Sequence, residues 1–208
     1  MGEHMRFLLI AVIAITFSGC AATYTREEDF PKFEISSPEH SYDIETAVTD
    51  FKAHLDGGKM ATSHFFGRVE QSSVVNQWKS AGVVDRETFQ KGETWSGNAD
   101  YEIVLTGSQQ GKSSVGMQVL SGLTLMIIPY SVDQTYDITI KRRDVKTGEV
   151  KTASAKYRYY QLVSILHLPF FPFILGSEMK ADKRLAASLW CQMSPDDCES
   201  KAPPSASW

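Results

Sequence analysis

Alternation of apolar and polar side chains is clearest in the second half of the chain. Tyr101, Ile103 and Leu105 share one face of a predicted strand, with polar residues between most of them. The same period of two recurs over 133–144 and 149–163, and the segment 146–149 between them has the composition of a turn. The pattern therefore predicts a β-hairpin formed by 133–144 and 149–163.

Two other stretches carry apolar side chains at helical spacing. The first follows a capping sequence at 37–39, ends at the glycines 57–58, and repeats its apolar residues every three or four positions: Ile44, Ala47, Val48, Phe51 and Leu55. The second begins at Ser177 and is expected to bury one face, comprising Ala181, Leu185, Leu189 and Met193. Both stretches are predicted to be α-helices.

The pattern between these elements is weaker. Side chains that favour β-structure predict a strand over 61–69, and Ser72 or Ser73 can cap a short helix that runs through Trp78 to Gly82. Residues 83–98 are assigned to a loop with one helical turn near 86–90. The resulting order predicts an α+β fold, a small antiparallel sheet with helices packed on one face.

The N-terminal segment has a different character. Arg6 is followed by an unbroken apolar run from Phe7 to Ile15 and by small residues before Cys20, which indicates a signal peptide over 1–19. The apolar run is shorter than the roughly 20 residues that a membrane-spanning helix needs. The ending Phe17–Ser18–Gly19–Cys20 resembles the lipobox of bacterial lipoproteins. The alternative is an ordinary signal peptide followed by an incidental cysteine.

The resemblance implies cleavage before Cys20 and a diacylglycerol group on its thiol. Ala21 and Ala22 stand where an inner-membrane lipoprotein carries Asp, so the resemblance also implies the periplasmic face of the outer membrane. The polar stretch 20–37 is then a lipidated tether, 38–193 the α+β periplasmic domain, and 194–208 a C-terminal tail. The element order is broadly similar to that of other small envelope lipoproteins, such as penicillin-binding-protein activators and curli-secretion lipoproteins.

Cysteine usage and charge fit an exported protein. The chain has 208 residues, three cysteines and a formal net charge of −4, so bulk charge does not indicate a nucleic-acid partner. If Cys20 carries lipid, Cys191 and Cys198 remain, and Pro195 supplies a turn between them. A disulfide in the oxidising periplasm is predicted, with two free thiols as the alternative. Their spacing does not predict a metal site.

Two apolar segments, 115–130 and 162–176, flank the predicted hairpin. One interpretation is that both complete the core as strand ends and loops. The other is that the Pro169–Phe173 tip is an exposed loop and rests on the membrane or on a partner. Exposed apolar patches mark such contacts, and a lipid anchor keeps a domain near a bilayer. The candidate contact residues are Phe170, Phe171 and Phe173.

No catalytic residue, metal site or cofactor is predicted. The segment Gly107–Ser113 approaches a phosphate-binding loop but lacks its first glycine at the required spacing, so it is assigned to a polar loop. The histidines are scattered, and no nucleophile elbow occurs. The hairpin is locally basic, either as the solvated face of a sheet or as a contact for anionic lipid or glycan. Its basic residues are Lys141, Arg142, Arg143, Lys146, Lys151, Lys156 and Arg158.

Three functions are consistent with these features. The favoured hypothesis is a non-catalytic, lipid-anchored periplasmic module that assists assembly or maintenance of a cell-envelope machine. Its expected partners are the membrane and either an envelope protein or further copies of the chain. The second is a binding module for a lipid or other apolar ligand, with the two apolar segments as pocket walls. The third is an enzyme whose chemistry leaves no recognisable motif.

The first prediction concerns the anchor. The thiol of Cys20 is the only group in the lipobox that can take the diacylglycerol, so Cys20→Ser should yield an unprocessed or soluble form. In cells fed a radioactive fatty acid, the wild-type chain should be labelled and the variant should not. Absence of label on the wild-type chain would show that the lipoprotein interpretation is wrong.

Overall fold

A computed structural model describes residues 21–36, 40–56, 58–59, 63–92, 94–125, 127–163 and 171–200; at 21–27, 58–59, 63, 163, 171–179 and 200 only the backbone is considered. The strands are β1 (Ala21–Asp29), β2 (Phe33–Ile35), β3 (Tyr42–Leu55), β4 (Gly58–Lys59), β5 (Val84–Phe89), β6 (Tyr101–Ser113), β7 (Tyr130–Asp144), β8 (Val150–Val163) and β9 (Cys198–Ser200). The helices are α1 (Ser63–Ser80), α2 (Val115–Leu123) and α3 (Phe171–Met193).

Seven strands form one mixed sheet. Its order is β1-β8-β7-β6-β3-β4, and β5 also pairs with β3. Strands β1, β8, β7 and β6 are antiparallel neighbours, whereas β3 runs parallel to both β6 and β5. The α+β class is confirmed, but the expectation of a wholly antiparallel sheet is wrong. Strands β2 and β9 form a separate two-stranded sheet.

The core lies between one face of the large sheet and the helices α1 and α3. Apolar residues that alternate along the strands, such as Ile103 and Ile138, supply the sheet side. Trp78 of α1 and Trp190 of α3 are fully buried with ring centroids 5.3 Å apart, and the indole nitrogen of Trp78 donates to the Ala186 carbonyl at 2.8 Å. The prediction that helices cover one face is therefore confirmed for α1 and α3.

The elements predicted from the strongest periodic patterns are confirmed. The predicted hairpin is formed by β7 and β8, with Ile140 opposite Ala153. The predicted strand at 101–105 begins β6. The helix predicted from Ser177 lies within α3 and buries the expected face: Ala181, Leu185, Leu189 and Met193.

The helix predicted over 37–55 is wrong, because residues 42–55 form β3. All five residues from Ile44 to Val48 are buried, so this strand lacks the alternation that marks a sheet with one wet face. Its pairing with β6 also shifts between Val48 and Phe51, where Asp50 has a positive φ of 46°. The extra residue moves the apolar positions to spacings that resemble those of a helix.

Three further local predictions are corrected by tertiary context. Of the strand predicted over 61–69, the described residues 63–69 form the start of α1, which continues through the short helix predicted from Ser72 or Ser73. The loop predicted at 83–98 contains β5, whose backbone pairs with β3. The polar loop predicted at Gly107–Ser113 is the second half of β6. In each case strand pairing or helix packing outweighs local propensity.

The polar stretch 20–37 is not an unstructured tether. It contains β1, which pairs with β8 from Ala21↔Val163 to Asp29↔Lys156, and β2, which pairs with β9. The side chains of β1 are mostly polar because the strand lies at the edge of the sheet. Its attachment to lipid remains a prediction, since Cys20 lies outside the described residues.

Cys191 and Cys198 have the geometry of a disulfide. Their sulfur atoms are 2.00 Å apart and their Cα atoms 5.7 Å apart, which joins the end of α3 to β9. Closing so short a loop should add about 2–3 kcal/mol to the free energy of unfolding. Thiol counting on denatured, unreduced protein should find neither cysteine free, and two reactive thiols would contradict the pairing.

A second stability prediction concerns Gly67, where α1 crosses β3 closely. A Cβ atom at this position would lie 2.7 Å from a Val48 methyl carbon and 2.8 Å from the Phe51 ring. Gly67→Ala should therefore lower the free energy of unfolding by about 1–3 kcal/mol, although alanine favours helices.

Gly122→Ala in α2 is the matched control, because no atom lies within 4 Å of its added Cβ. It should leave stability unchanged or raise it slightly. Urea denaturation of both variants measures the difference, and an unchanged midpoint for Gly67→Ala would show that the helix is not so close to the strand.

Candidate membrane-contact site

Helix α2 presents its apolar side chains outward. Leu123 is 78% exposed and Val115 62%, and the helix buries Ser121 rather than a leucine or valine. The apolar surface continues past the helix through Leu125 and Ile127, which are 67% and 56% exposed. The interpretation that segment 115–130 completes the core is therefore wrong for this helix, which carries an apolar patch instead.

Hydrogen bonds at both ends stabilise α2, although its apolar side chains do not pack into the core. At its start the Ser114 hydroxyl accepts from the Met117 backbone N–H at 3.4 Å, and the Gln118 side chain donates to the Ser113 hydroxyl at 2.6 Å. At its end the Thr124 backbone N–H donates to the Leu120 carbonyl at 3.1 Å. Capping of this kind satisfies the free backbone groups of a short helix.

Strand register places α2 at the same end of the sheet as the start of β1. Ala21, directly after Cys20, pairs with Val163, and Val163 pairs with Tyr130 on its other side. Tyr130 begins β7 just after α2, and Ser113 ends β6 just before it. We call this the apolar end: the strand ends at Ala21, Val163 and Tyr130 together with residues 115–125 and 127.

The start of α3 reaches the apolar end as well. The helix runs antiparallel to β8, since Gln192 bonds to the backbone of Ser154 and the Tyr159 hydroxyl donates to Asp182 at 3.3 Å. From Asp182 back to Phe171 the helix extends about 16 Å. From Tyr159 to Val163 the strand extends only about 13 Å. Phe171 therefore lies level with the end of β8 at Val163 or slightly beyond it.

The position of α3 tests part of the prediction made for the Pro169–Phe173 tip. Phe171 and Phe173 lie in the first turn of α3 and not in a loop, and Pro172 is accommodated because the first turn needs no N–H at that position. The contacts of their side chains are not described, and Pro169 and Phe170 lie outside the described residues. Whether Phe170, Phe171 and Phe173 contact a membrane stays a prediction.

The basic residues of the hairpin are mostly paired. Arg143 bonds to the buried Glu102 carboxylate, and Lys146 lies 3.0 Å from a carboxylate oxygen of Asp100. The Arg158 guanidinium donates to Asp133 and holds the pKa of that carboxyl below its usual range. Arg142 is buried, 4.3 Å above the Tyr101 ring. These contacts favour the interpretation as the solvated face of a sheet over a broad polyanion site.

Two further features of the described residues bear on the site. No group of three or more histidine, cysteine, aspartate or glutamate side chains among them is arranged to hold a metal ion. None of the helices in that part of the chain is both long and apolar enough to span a membrane.

Comparisons with known proteins find only distant structural similarity. No protein-family model matches the chain, and no curated protein matches it. Two PelC dodecamer structures from Paraburkholderia phytofirmans cover 82% and 84% of this chain and 98% and 97% of theirs, at 12% and 14% identity and TM-scores of 0.37 and 0.36. A Xanthomonas campestris protein of the DUF330 family covers 80% of this chain and 95% of its own at 11% identity and a TM-score of 0.37. Similarity at this level carries no argument about function.

Proposed function

We propose that this chain is a lipid-anchored protein on the periplasmic face of the outer membrane, whose apolar end rests on the bilayer. In that position it acts as a non-catalytic module that assists assembly or maintenance of a cell-envelope machine, together with an envelope protein or further copies of itself. The observation that carries the proposal is the strand register, which brings Ala21 and the exposed α2 to one end of the sheet.

Helix α2 would add to the attachment that the lipid provides. The two acyl chains of a diacylglycerol already give firm anchoring, but a flexible lipid does not fix which side of the domain faces the bilayer. Burial of one exposed leucine or valine in an apolar phase contributes about 1.5–3 kcal/mol. Several such side chains lie on α2 and just after it: Val115, Val119, Leu120, Leu123, Leu125 and Ile127. Helix α2 is thus suited to hold one end of the domain against the bilayer.

The alternative, a pocket for an apolar ligand with α2 as one wall, has less support. The exposed side chains of α2 point to solvent. A cavity of about 550 Å³ is formed by neighbouring strands instead, and its lining includes Asp29, Lys112, Asp133, Lys156 and Arg158. Charged walls of this kind do not favour an apolar ligand.

The experiment uses the chain with Cys20→Ser, expressed without residues 1–19, so that no lipid contributes to binding. Leu123→Asp places a charge at the apolar end, and Val150→Asp is the matched control at the opposite end of the sheet. The two side chains are 78% and 58% exposed, so neither change should disturb the core. Binding to vesicles of phosphatidylethanolamine and phosphatidylglycerol is measured by flotation.

Leu123→Asp should weaken vesicle binding at least tenfold, because the lost burial exceeds 1.4 kcal/mol. Val150→Asp should bind as the parent chain does, and both variants should keep its melting temperature. If the two variants bind equally, the apolar end is not the membrane contact. If the parent chain does not float with the vesicles, the proposed membrane contact is wrong.

A further inference from the structure

The loop between β5 and β6 crosses the face of the sheet that the helices leave open. It is tied to β3 at both ends, by the Gln90 N–H to the Thr46 carbonyl and by the Asp100 N–H to the Asp43 carbonyl, each at 2.8 Å. In its middle, the backbone N–H of Ser96 donates to the Glu45 carboxylate at 2.8 Å, and the Ser96 hydroxyl donates to the same carboxylate. Glu45 is only 4% exposed, so this anchor bonds Ser96 of the loop to a carboxylate that is buried in the sheet.

The anchor holds the preceding residue, Trp95, as one wall of a groove. Trp95 is half-buried, and the groove has a volume of about 310 Å³. Polar side chains that project from β3, β6 and β7 line it, among them Thr49, Glu102, Thr106, Lys141 and Arg143. Val104 and Val150 complete the lining, so the groove combines an aromatic ring and two apolar side chains with a few polar groups that could orient a ligand.

The charges in the groove determine which charge a ligand must carry. Glu102 is 3% exposed and is bound by Arg143, whose own side chain is 51% exposed and can still reach a ligand. Lys141 is exposed, and it makes no ion pair with any residue that the structure describes. The groove therefore has one uncompensated positive charge beside an aromatic ring, the partly exposed Arg143 guanidinium and the hydroxyl groups of Thr49 and Thr106.

We propose that this groove binds an acidic pyranose unit of a polysaccharide, such as a uronic acid. The apolar C–H face of such a ring would stack on Trp95 and its carboxylate would pair with Lys141. Its hydroxyl groups would bond with Thr106 and with the N–H groups of Arg143 that do not bond to Glu102. The groove lies near the start of β6 and β8, at the opposite end of the sheet from α2. The inference does not depend on the membrane contact.

The test measures binding of trigalacturonic acid to the full chain by isothermal titration calorimetry, with galactotriose as the neutral probe. Lys141→Gln removes the proposed charge partner, and Lys112→Gln is the matched control on the same face and at the other end of the groove-forming sheet. Lys141→Gln should weaken binding of the acidic probe about tenfold, as expected for loss of a charged hydrogen bond. Lys112→Gln should have no effect.

Trp95→Ala should weaken binding of the acidic probe by tenfold or more, and the melting temperature checks that the loop anchor survives. The proposal is wrong if wild-type chain does not bind trigalacturonic acid, or if Lys141→Gln and Lys112→Gln behave alike. Equal affinity for galactotriose would overturn the acidic class. Binding that survives Trp95→Ala would place the site elsewhere.

Discussion

The fold depends on one buried contact, the packing of Trp190 where two helices meet the sheet. Its ring lies 5.3 Å from that of Trp78 in α1 and 5.9 Å from that of Tyr42 in β3. The guanidinium carbon of Arg142, in β7, lies 5.4 Å from the ring, and the indole N–H donates to Asp197 at 3.1 Å. A large ring that touches so many elements fixes their relative positions, because close packing leaves little room for adjustment.

This packing makes the two ends of the sheet unlike each other. The Trp190 end is also closed by the Cys191–Cys198 pair and by the Arg142 guanidinium, which donates to the Met193 carbonyl at 3.0 Å. The apolar end lies about 40 Å away along a 13-residue strand such as β6. There, α2 leaves its apolar side chains exposed. A domain with one exposed apolar end is suited to contact another molecule or a membrane through that end.

The sequence predicted the elements whose burial has one simple period and missed those that depend on distant partners. Strands β7 and β8 alternate cleanly because one face is wet, whereas β3 is buried on both faces and carries a bulge after Val48. The apolar segment 115–130 is evident in the sequence, but apolar composition alone does not distinguish a core helix from an exposed one. Trp95 gave no signal, because its position depends on the bond between Ser96 and Glu45, 51 residues apart. Such long-range contacts leave no local pattern.

The pairing of β1 changes what a lipid on Cys20 would do. A free 17-residue tether would let the domain move up to about 55 Å from the bilayer. Because Ala21 already pairs with Val163, the lipidated cysteine would be bonded directly to the first residue of the sheet. The apolar end would then be held against the membrane at a high effective concentration. The state in which Leu123 or Val119 is buried in the bilayer would therefore be populated even if that burial contributes little free energy. The short connection and the exposed helix are thus two parts of one arrangement, and neither would orient the domain alone.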